Sequence, residues 1–155
     1  MALKTRALEA LEGTPHEILE YSPSQDHFGE HSARELGLDP HEVFKTLLIE
    51  GPDRAMAVCC VPVAARLSPK HAARAMGWKR AEMADPARAQ RTTGYVLGGI
   101  SPLGTLTKLP TLIDASAADL ETLTVSAGQR GLSAQLSPAD LARLTDAQFA
   151  DISSA

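Results

Sequence analysis

The chain has 155 residues, of which 44% are hydrophobic and 22% are charged, and its net charge is −4. This length and composition are typical of one ordinary globular domain over residues 1–155, and no apolar run approaches the roughly 18 residues of a membrane helix. Lys4 and Arg6 are not followed by an apolar stretch, so no secretory signal is predicted and a cytoplasmic protein is expected. The negative net charge argues against broad binding of nucleic acid.

The helix predictions rest on periodicity and on capping signals. A helix is predicted over Leu3 to Leu11, and the last helix is expected to run from Pro138 to Leu144. Aspartate or serine before proline predicts a helix start, because the first side chain can cap free N–H groups and proline fits the first turn. Such pairs are Asp39-Pro40, Ser68-Pro69, Asp85-Pro86 and Ser137-Pro138. Gly77 and Gly94 should end the two middle helices.

The strand predictions lie between these helices. Val43 to Glu50 and Ala55 to Val63 are apolar runs separated by Gly51-Pro52-Asp53, which predicts a β-hairpin. Shorter candidates are His16 to Tyr21, Tyr95 to Leu97, Thr111 to Ile113 and Leu123 to Val125. The order lacks a regular βαβ alternation, which favours a single α/β or α+β domain on a mixed, mostly antiparallel sheet.

Cys59 and Cys60 are adjacent on a predicted strand. Neighbouring strand residues point to opposite faces of a sheet, and a disulfide between them would be strained. We interpret them as reduced, mostly buried thiols.

The charges are distributed unevenly. Residues 54–91 have a balance of +6, whereas residues 1–53 have −7 and residues 92–155 have −3. The basic segment is either an ordinary solvated surface or a local contact for phosphates. The side chains expected to contact phosphates are Lys70, Arg74, Lys79 and Arg80.

Lys45 interrupts an apolar run, and burial of a lysine is costly unless it is paired. One interpretation is that its stem packs while its ammonium reaches water. The alternative is a cavity in which the ammonium binds a carbonyl oxygen, a phosphate or a developing oxyanion.

Two small-residue segments accompany this lysine. Gly98-Gly99 is either a tight turn or a pair of exposed N–H donors. Ser126 to Gly131 is predicted as a loop after a strand, which is either a simple hairpin turn or a wall of polar donors. Together with Lys45, these segments would supply electrophilic groups without an evident protein nucleophile or base.

Other catalytic patterns are incomplete. His41-Glu42 begins like a zinc-protease helix, but Lys45 stands where the second histidine belongs. His27 and His31 have the spacing of a metal pair, but no third ligand is obvious, and we interpret them as solvated loop histidines. Gly99 to Leu103 resembles a nucleophile elbow, but it has a proline after the serine and ends in leucine.

Short segments in a fixed order resemble the YbaK/EbsC family of aminoacyl-tRNA editing domains, particularly its Cys-tRNA(Pro) deacylase branch. The likeness spans most of the chain, and the order and spacing of the segments carry it. The segments are Leu36-Gly37-Leu38, Val43 to Leu48, Val61-Pro62-Val63, Glu82 to Pro86, Ala89-Gln90-Arg91, Thr93-Gly94-Tyr95, Gly98 to Gly104, Leu109-Pro110-Thr111, Ile113-Asp114-Ala115, Val125-Ser126 and Arg130-Gly131-Leu132.

The resemblance implies a mixed sheet partly closed like a barrel, with flanking helices. It implies hydrolysis of cysteine that prolyl-tRNA synthetase has wrongly esterified to proline tRNA, with no metal or other cofactor. The implied partners are the tRNA acceptor end and prolyl-tRNA synthetase. In this branch the substrate cysteine's own thiol attacks its ester carbonyl, which would explain a site without a protein nucleophile.

The family's essential lysine falls on Lys45, which is therefore the implied catalytic residue. Its substrate loop falls on Gly98 to Pro102 and its pocket loop on Ser126 to Gly131, and two aromatic residues near its start match Tyr21 and Phe28. The implied substrate-binding residues are Tyr21, Phe28, Thr46, Gly98, Gly99, Ile100, Ser101, Pro102, Ser126, Gly128, Arg130 and Gly131.

The third segment departs from the branch pattern. Ala127 and Gln129 replace a glycine and a lysine, and Ser133 stands where an aspartate commonly follows. These changes bear on which amino acid is favoured and on how tightly the tRNA end is bound. The alternatives are an editing domain for alanine or serine on tRNA and a non-catalytic module that binds tRNA or a synthetase. Lys45 favours the enzyme, because a binding module would not need an ammonium at the carbonyl site.

Overall fold

The computed structural model describes residues 4–22 and 28–154. The helices in this part of the chain are α1 (Arg6–Ala10), α2 (Phe28–Leu36), α3 (Pro69–Met76), α4 (Pro86–Thr93) and α5 (Pro138–Thr145). The strands are β1 (Glu17–Glu20), β2 (Phe44–Glu50), β3 (Met56–Pro62), β4 (Arg66–Leu67), β5 (Glu82–Met83), β6 (Thr111–Asp114), β7 (Leu123–Gln129), β8 (Leu132–Leu136), β9 (Gln148–Ala150) and β10 (Ser153–Ser154).

The described strands form three sheets. Their orders are β5-β2-β3-β6-β9, β1-β8-β7 and β10-β4. Among the described strands, two pairs are parallel, β3 with β6 and β6 with β9, and the other pairs are antiparallel. The predicted mixed, mostly antiparallel α/β architecture is therefore confirmed. The two larger sheets meet at an isolated parallel bridge between Val43 and Thr124. Partial closure into a barrel stays a prediction.

Local capping explains where three helices begin. The side chains of Ser68, Asp85 and Ser137 each accept a hydrogen bond from an N–H of the following first turn, as predicted. Gly77 and Gly94 end α3 and α4 in the left-handed conformation that glycine adopts without strain. The hairpin is also confirmed, because β2 and β3 pair in antiparallel register around the turn at Pro52–Arg54.

Two element predictions are wrong. Asp39-Pro40 does not start a helix. The Asp39 carboxylate accepts the His41 N–H at 2.9 Å, which closes a turn that leads into β2. Tyr95 to Leu97 is not a strand but part of a loop, which is held by the Tyr95 hydroxyl as it donates to the Leu103 carbonyl at 2.6 Å.

One helix was not predicted. α2 contains His31, so the interpretation of this residue as a loop histidine is wrong, while His27 lies outside the described residues. Its sequence, Phe28–Leu36, has no Asp-Pro or Ser-Pro start and contains a glycine, which weakens the helix signal.

The core packs against both faces of the five-stranded sheet, and every residue of β3 is buried. Phe44, Leu48 and Cys60 belong to the larger apolar cluster, whereas Cys59 packs on the other face with Ala72 of α3. The expectation that the two thiols point to opposite faces is confirmed, because a strand buried on both sides alternates its side chains between two clusters.

Candidate active site

A cavity of about 400 Å³ lies where the N-terminal half of β2 approaches β7 and β8. The residues around it come from α2, β2, β7, β8 and four connecting segments, and they include one lysine, one glutamate and several hydroxyls. They are Tyr21, Glu30, Ser32, Val43, Phe44, Lys45, Thr46, Leu47, Val63, Leu97, Gly98, Ile100, Val125, Ser126 and Ser133.

The strand register explains why this cavity has an open backbone edge. β5 pairs with β2 only at Ile49 and Glu50, so the first part of β2 is not covered by β5. The Val63 N–H donates to the Val43 carbonyl at 2.8 Å. Along an antiparallel pair, residues whose N–H and carbonyl bond to the partner strand alternate with residues whose N–H and carbonyl point away from it. Because Val43 bonds to β3, the backbone groups of Lys45 also point to β3 and those of Thr46 point away from it. The N–H and carbonyl of Thr46 therefore point to the side of β2 on which none of the described strands pairs with this residue.

Lys45 is half-buried in the wall of this cavity. Burial lowers the pKa of its ammonium below the ordinary value, the Glu30 carboxylate opposes that shift, and the Arg66 guanidinium adds to it. Lys45 thus lines a cavity with its ammonium partly desolvated. A partly desolvated ammonium is a strong hydrogen-bond donor to a carbonyl oxygen or an oxyanion.

Thr46 adds a hydroxyl to the same wall. Its Oγ1 is buried, and Thr46 lies opposite Cys60 in the β2–β3 register. A side-chain hydrogen bond with Thr46 opposes the rise that burial causes in the pKa of the Cys60 thiol, so this hydroxyl interacts with the core thiol beside the cavity.

The cysteines lie behind this wall and do not line the cavity. Both thiols are fully buried, and burial raises the pKa of Cys59 and of Cys60 to about 12. Each is therefore a neutral thiol at physiological pH, and a neutral buried thiol is a poor nucleophile.

Gly98 and Gly99 have different structural roles. Gly98 has a φ of +84° and lines the cavity. The Gly99 N–H is engaged, because it donates to the Val96 carbonyl at 2.9 Å. A Cβ on Gly99 would lie 2.8 Å from the Cα of Gln129, so glycine is required there for close approach of the loop to β7.

The third segment is largely strand and not loop. β7 continues to Gln129, with an irregular register between Ser126 and Gln129, and the chain turns at Arg130 and Gly131. Strand pairing extends through Ser126 because Ser133 of β8 lies directly opposite it. Both serines line the cavity, so Ser133, one of the three positions that depart from the branch pattern, is a wall residue.

The structure brings together six of the predicted substrate or catalytic residues. Those that line the cavity are Tyr21, Lys45, Thr46, Gly98, Ile100 and Ser126. Gly99, Ser101, Pro102, Gly128, Arg130 and Gly131 are outside its lining, and the Phe28 side chain is outside the described part of the chain. Ser101 is fully buried, and its Oγ accepts the Leu103 N–H at 3.2 Å. Sequence reasoning missed Glu30 and Ser32, because α2 gave no helix signal.

A second concavity contains the four cations predicted to contact phosphates. Lys70, Arg74, Lys79 and Arg80 are exposed and line it together with Trp78, and we call this surface the basic groove. None of the four forms a salt bridge with a carboxylate of the described residues.

The basic groove lies at the far end of β2 from Lys45. The Trp78 ring packs on Gly51, where a Cβ would be 2.3 Å from the ring. Gly51 follows the last residue of β2, and six residues of strand span roughly 20 Å at about 3.3 Å per residue.

Two further observations concern metals and membranes. Across residues 4–22 and 28–154, no three His, Cys, Asp or Glu side chains are grouped as metal ligands would be. None of the helices in these ranges has the length and hydropathy needed to cross a membrane.

Comparison with solved structures identifies the fold. A protein described as a candidate trans-editing enzyme for prolyl-tRNA synthetase superposes with a TM-score of 0.84 at 24% identity, covering 99% of this chain and 100% of the other. The hypothetical protein APE2540 superposes with a TM-score of 0.87 at 21% identity, covering 97% and 100%.

Comparison of sequences identifies the family. EbsC of Enterococcus faecalis, provisionally named as a Cys-tRNA(Pro)/Cys-tRNA(Cys) deacylase, is 36% identical over 152 residues, which are 96% of this chain and 93% of EbsC. The family model described as the aminoacyl-tRNA editing domain matches residues 25–144, which contain Lys45 and most of the cavity wall. The chain therefore belongs to the family of aminoacyl-tRNA editing domains, which assigns it to the aminoacyl-tRNA deacylases.

Proposed function

We propose that this protein removes cysteine from mischarged proline tRNA, acting in trans after the synthetase has released its product. The observation that carries the proposal is the half-buried Lys45 ammonium in a small cavity whose lining, among the described residues, contains hydroxyls but no cysteine or histidine. Such a site can polarise an ester carbonyl but does not supply a strong nucleophile. The name of EbsC, at 36% identity, supports cysteine as the amino acid.

The cysteine substrate can supply the missing nucleophile itself. Its thiolate sulfur attacks the ester carbonyl carbon, and the carbonyl oxygen becomes an oxyanion. The bond from that carbon to the ribose oxygen then breaks, the ribose oxygen takes up a proton, and a cyclic thioester leaves the tRNA. Water opens the thioester to free cysteine. An intramolecular attack of this kind needs mainly correct orientation of the reacting groups.

The protein's part is to orient and polarise the ester. Lys45 donates a hydrogen bond to the carbonyl oxygen and stabilises the oxyanion as its charge develops. The backbone N–H of Thr46, on the open edge of β2, and that of Gly98 are additional donors beside the cavity. The Ser126 hydroxyl, which accepts the Gly128 N–H at 3.3 Å, contributes to the wall that limits the size of the amino acid.

We further propose that the basic groove binds phosphates of the tRNA acceptor end. Four exposed cations without a described carboxylate partner form a concentrated positive surface on an otherwise acidic protein. Its separation of roughly 20 Å from Lys45 along β2 suits phosphates several nucleotides from the ester. Prolyl-tRNA synthetase is the proposed source of the substrate, and the cytoplasm, where tRNA is charged, is the proposed site of action.

A deacylation assay tests the proposed function. Proline tRNA charged with Cys, Ala, Ser or Pro is incubated with the wild-type protein and with Lys45→Ala, and ester loss is followed in single turnovers. We expect rapid loss of cysteine, much slower loss of the other amino acids, and dependence on Lys45. Equal rates for Cys and Ala would contradict thiol-assisted cleavage, and preference for Ala or Ser would assign the chain to another specificity of the family.

A further inference from the structure

The cavity lining contains a single carboxylate among the described residues. Glu30 belongs to the first turn of α2, on the side of the cavity that this helix forms, and it is exposed at the rim. It is close enough to Lys45 for its negative charge to act on the lysine ammonium. The cavity therefore presents a cation and an anion to the same bound molecule.

An aminoacyl ester makes a pair of opposite charges useful. The substrate has a carbonyl oxygen, which needs a donor, and a protonated amine on the adjacent carbon. A hydrogen bond to the carbonyl spans about 2.9 Å, so an ammonium at Lys45 lies within roughly 5 Å of the substrate's own ammonium. Like charges at that separation repel each other, and the repulsion is stronger in a partly desolvated site. A carboxylate beside both groups offsets this cost.

We propose that Glu30 accepts a hydrogen bond from the α-ammonium of the aminoacyl group and makes the site selective for a free amine. This inference rests on the proposed function, because it assumes that an aminoacyl ester enters the cavity. A carboxylate has two oxygens and about four acceptor positions, so Glu30 can accept this bond in addition to its own contacts within the protein. Acylation of the amine removes the positive charge and leaves Glu30 facing a neutral amide.

Selectivity for a free amine has a functional consequence. It separates mischarged aminoacyl-tRNA from tRNA whose amino acid carries an N-acyl group or a peptide, although all three carry the same ester. The side-chain walls of the cavity cannot make this distinction, because the amino-acid side chain is the same in each case.

Binding of hydrolysis-resistant probes tests the proposal. The probes are 3′-cysteinylamino-3′-deoxyadenosine, in which an amide replaces the ester, and its N-acetyl form, and the Kd of each is measured by calorimetry. We expect the wild type to bind the free-amine probe about tenfold or more tightly than the N-acetyl probe, as for a hydrogen bond to a charged group. Glu30→Gln should abolish this preference by weakening the free-amine probe only.

Glu35→Gln is the matched control, because it removes the same charge from an exposed position on the same helix. It should keep the wild-type preference. Equal affinity of the wild type for the two probes, no binding of either, a preference that survives in Glu30→Gln, or equal weakening of both probes would each overturn the proposal. Hydrolysis of Cys-tRNA(Pro) is measured separately, so a protein that shows the Glu30-dependent preference but cleaves nothing would contradict the proposed function and not this inference.

Discussion

Arg130 at the turn after β7 donates a hydrogen bond from Nε to the Leu97 carbonyl at 2.7 Å. The Leu97 N–H donates in turn to the Gln90 Oε1 on α4 at 2.9 Å. The residue that precedes Gly98 is therefore held from two sides, by a strand turn and by a helix. Because Leu97 and Gly98 both line the cavity, these two bonds fix one wall of the candidate site.

Loss of this connection should loosen the wall without unfolding the protein. In Arg130→Ala the Leu97 carbonyl loses its guanidinium donor and is hydrated by solvent instead, because Arg130 is exposed. We expect an increase of about three- to tenfold in KM for Cys-tRNA(Pro), since one net hydrogen bond contributes roughly 0.5–1.5 kcal/mol. Arg143→Ala, which removes another exposed guanidinium, should not change KM. An unchanged KM in Arg130→Ala would show that the loop keeps its position without the bond.

Lys45→Ala should lose about 10²–10³-fold in the rate of single-turnover deacylation, the range measured for loss of one oxyanion donor. The ammonium is the single cation that lines the cavity among the described residues, so no neighbouring group there replaces it. Lys108→Ala is the control, because Lys108 is exposed on a loop and does not line the cavity. A folded Lys45→Ala protein with a near-wild-type rate would refute the catalytic role.

The lowered pKa of Lys45 predicts opposite pH trends for stability and activity. Between its folded pKa and the ordinary value of 10.5, the unfolded chain binds more protons at this residue than the folded chain. The free energy of unfolding contributed by Lys45 therefore rises with pH in that window. Activity that needs the ammonium should fall over the same window.

The comparison of the wild type with Lys45→Met isolates this effect, because titration of the buried Cys59 and Cys60 thiols is common to both proteins. We expect the methionine variant to be at least as stable as the wild type at pH 7 in urea unfolding, although it is catalytically impaired. The difference in stability should shrink toward pH 10. A methionine variant that is clearly less stable at pH 7 would mean that the charged Lys45 is well compensated by Glu30.

Replacement of the cysteines should leave the chemistry intact. Their pKa values of about 12 keep both as thiols, so Cys59→Ala and Cys60→Ala are expected to retain the wild-type rate once the folded fraction is matched. Each change leaves a small space in the core, and a loss of about 1 kcal/mol in the free energy of unfolding is expected. A rate that falls by tenfold or more in a stably folded variant would assign the protein thiol a direct role.

Neutralisation of the basic groove should weaken tRNA binding and flatten its salt dependence, because fewer counterions are released. The change is made at all four cations of the groove, and turnover of saturated substrate should stay near the wild-type value. A control with the same change in net charge elsewhere should keep the steeper salt slope. Its positions are Lys4, Arg34, Arg91 and Lys108. If the salt dependence of tRNA binding is unchanged in the groove variant, these cations form an ordinary solvated surface and do not bind phosphates.

The sequence determined the local elements that carry their own signals. Ser68, Asp85 and Ser137 predicted the starts of α3, α4 and α5, because capping is a contact between residues three apart. The hairpin of β2 and β3 was predictable for the same reason, since its turn residues are adjacent in the chain. Lys45 could be identified because a charged residue within an apolar run is visible in the sequence itself.

Tertiary structure decided the walls of the site. The cavity requires β2 to meet β7 and β8, and the contact of Val43 with Thr124 spans about half of the chain. Glu30 entered the site through a helix without a capping signal, and Asp39 closed a turn because the chain continues directly into β2. Ser133 became a wall residue through its register opposite Ser126. Pairing across strands depends on which faces are buried together, and that is a property of the whole packed sheet rather than of any single segment.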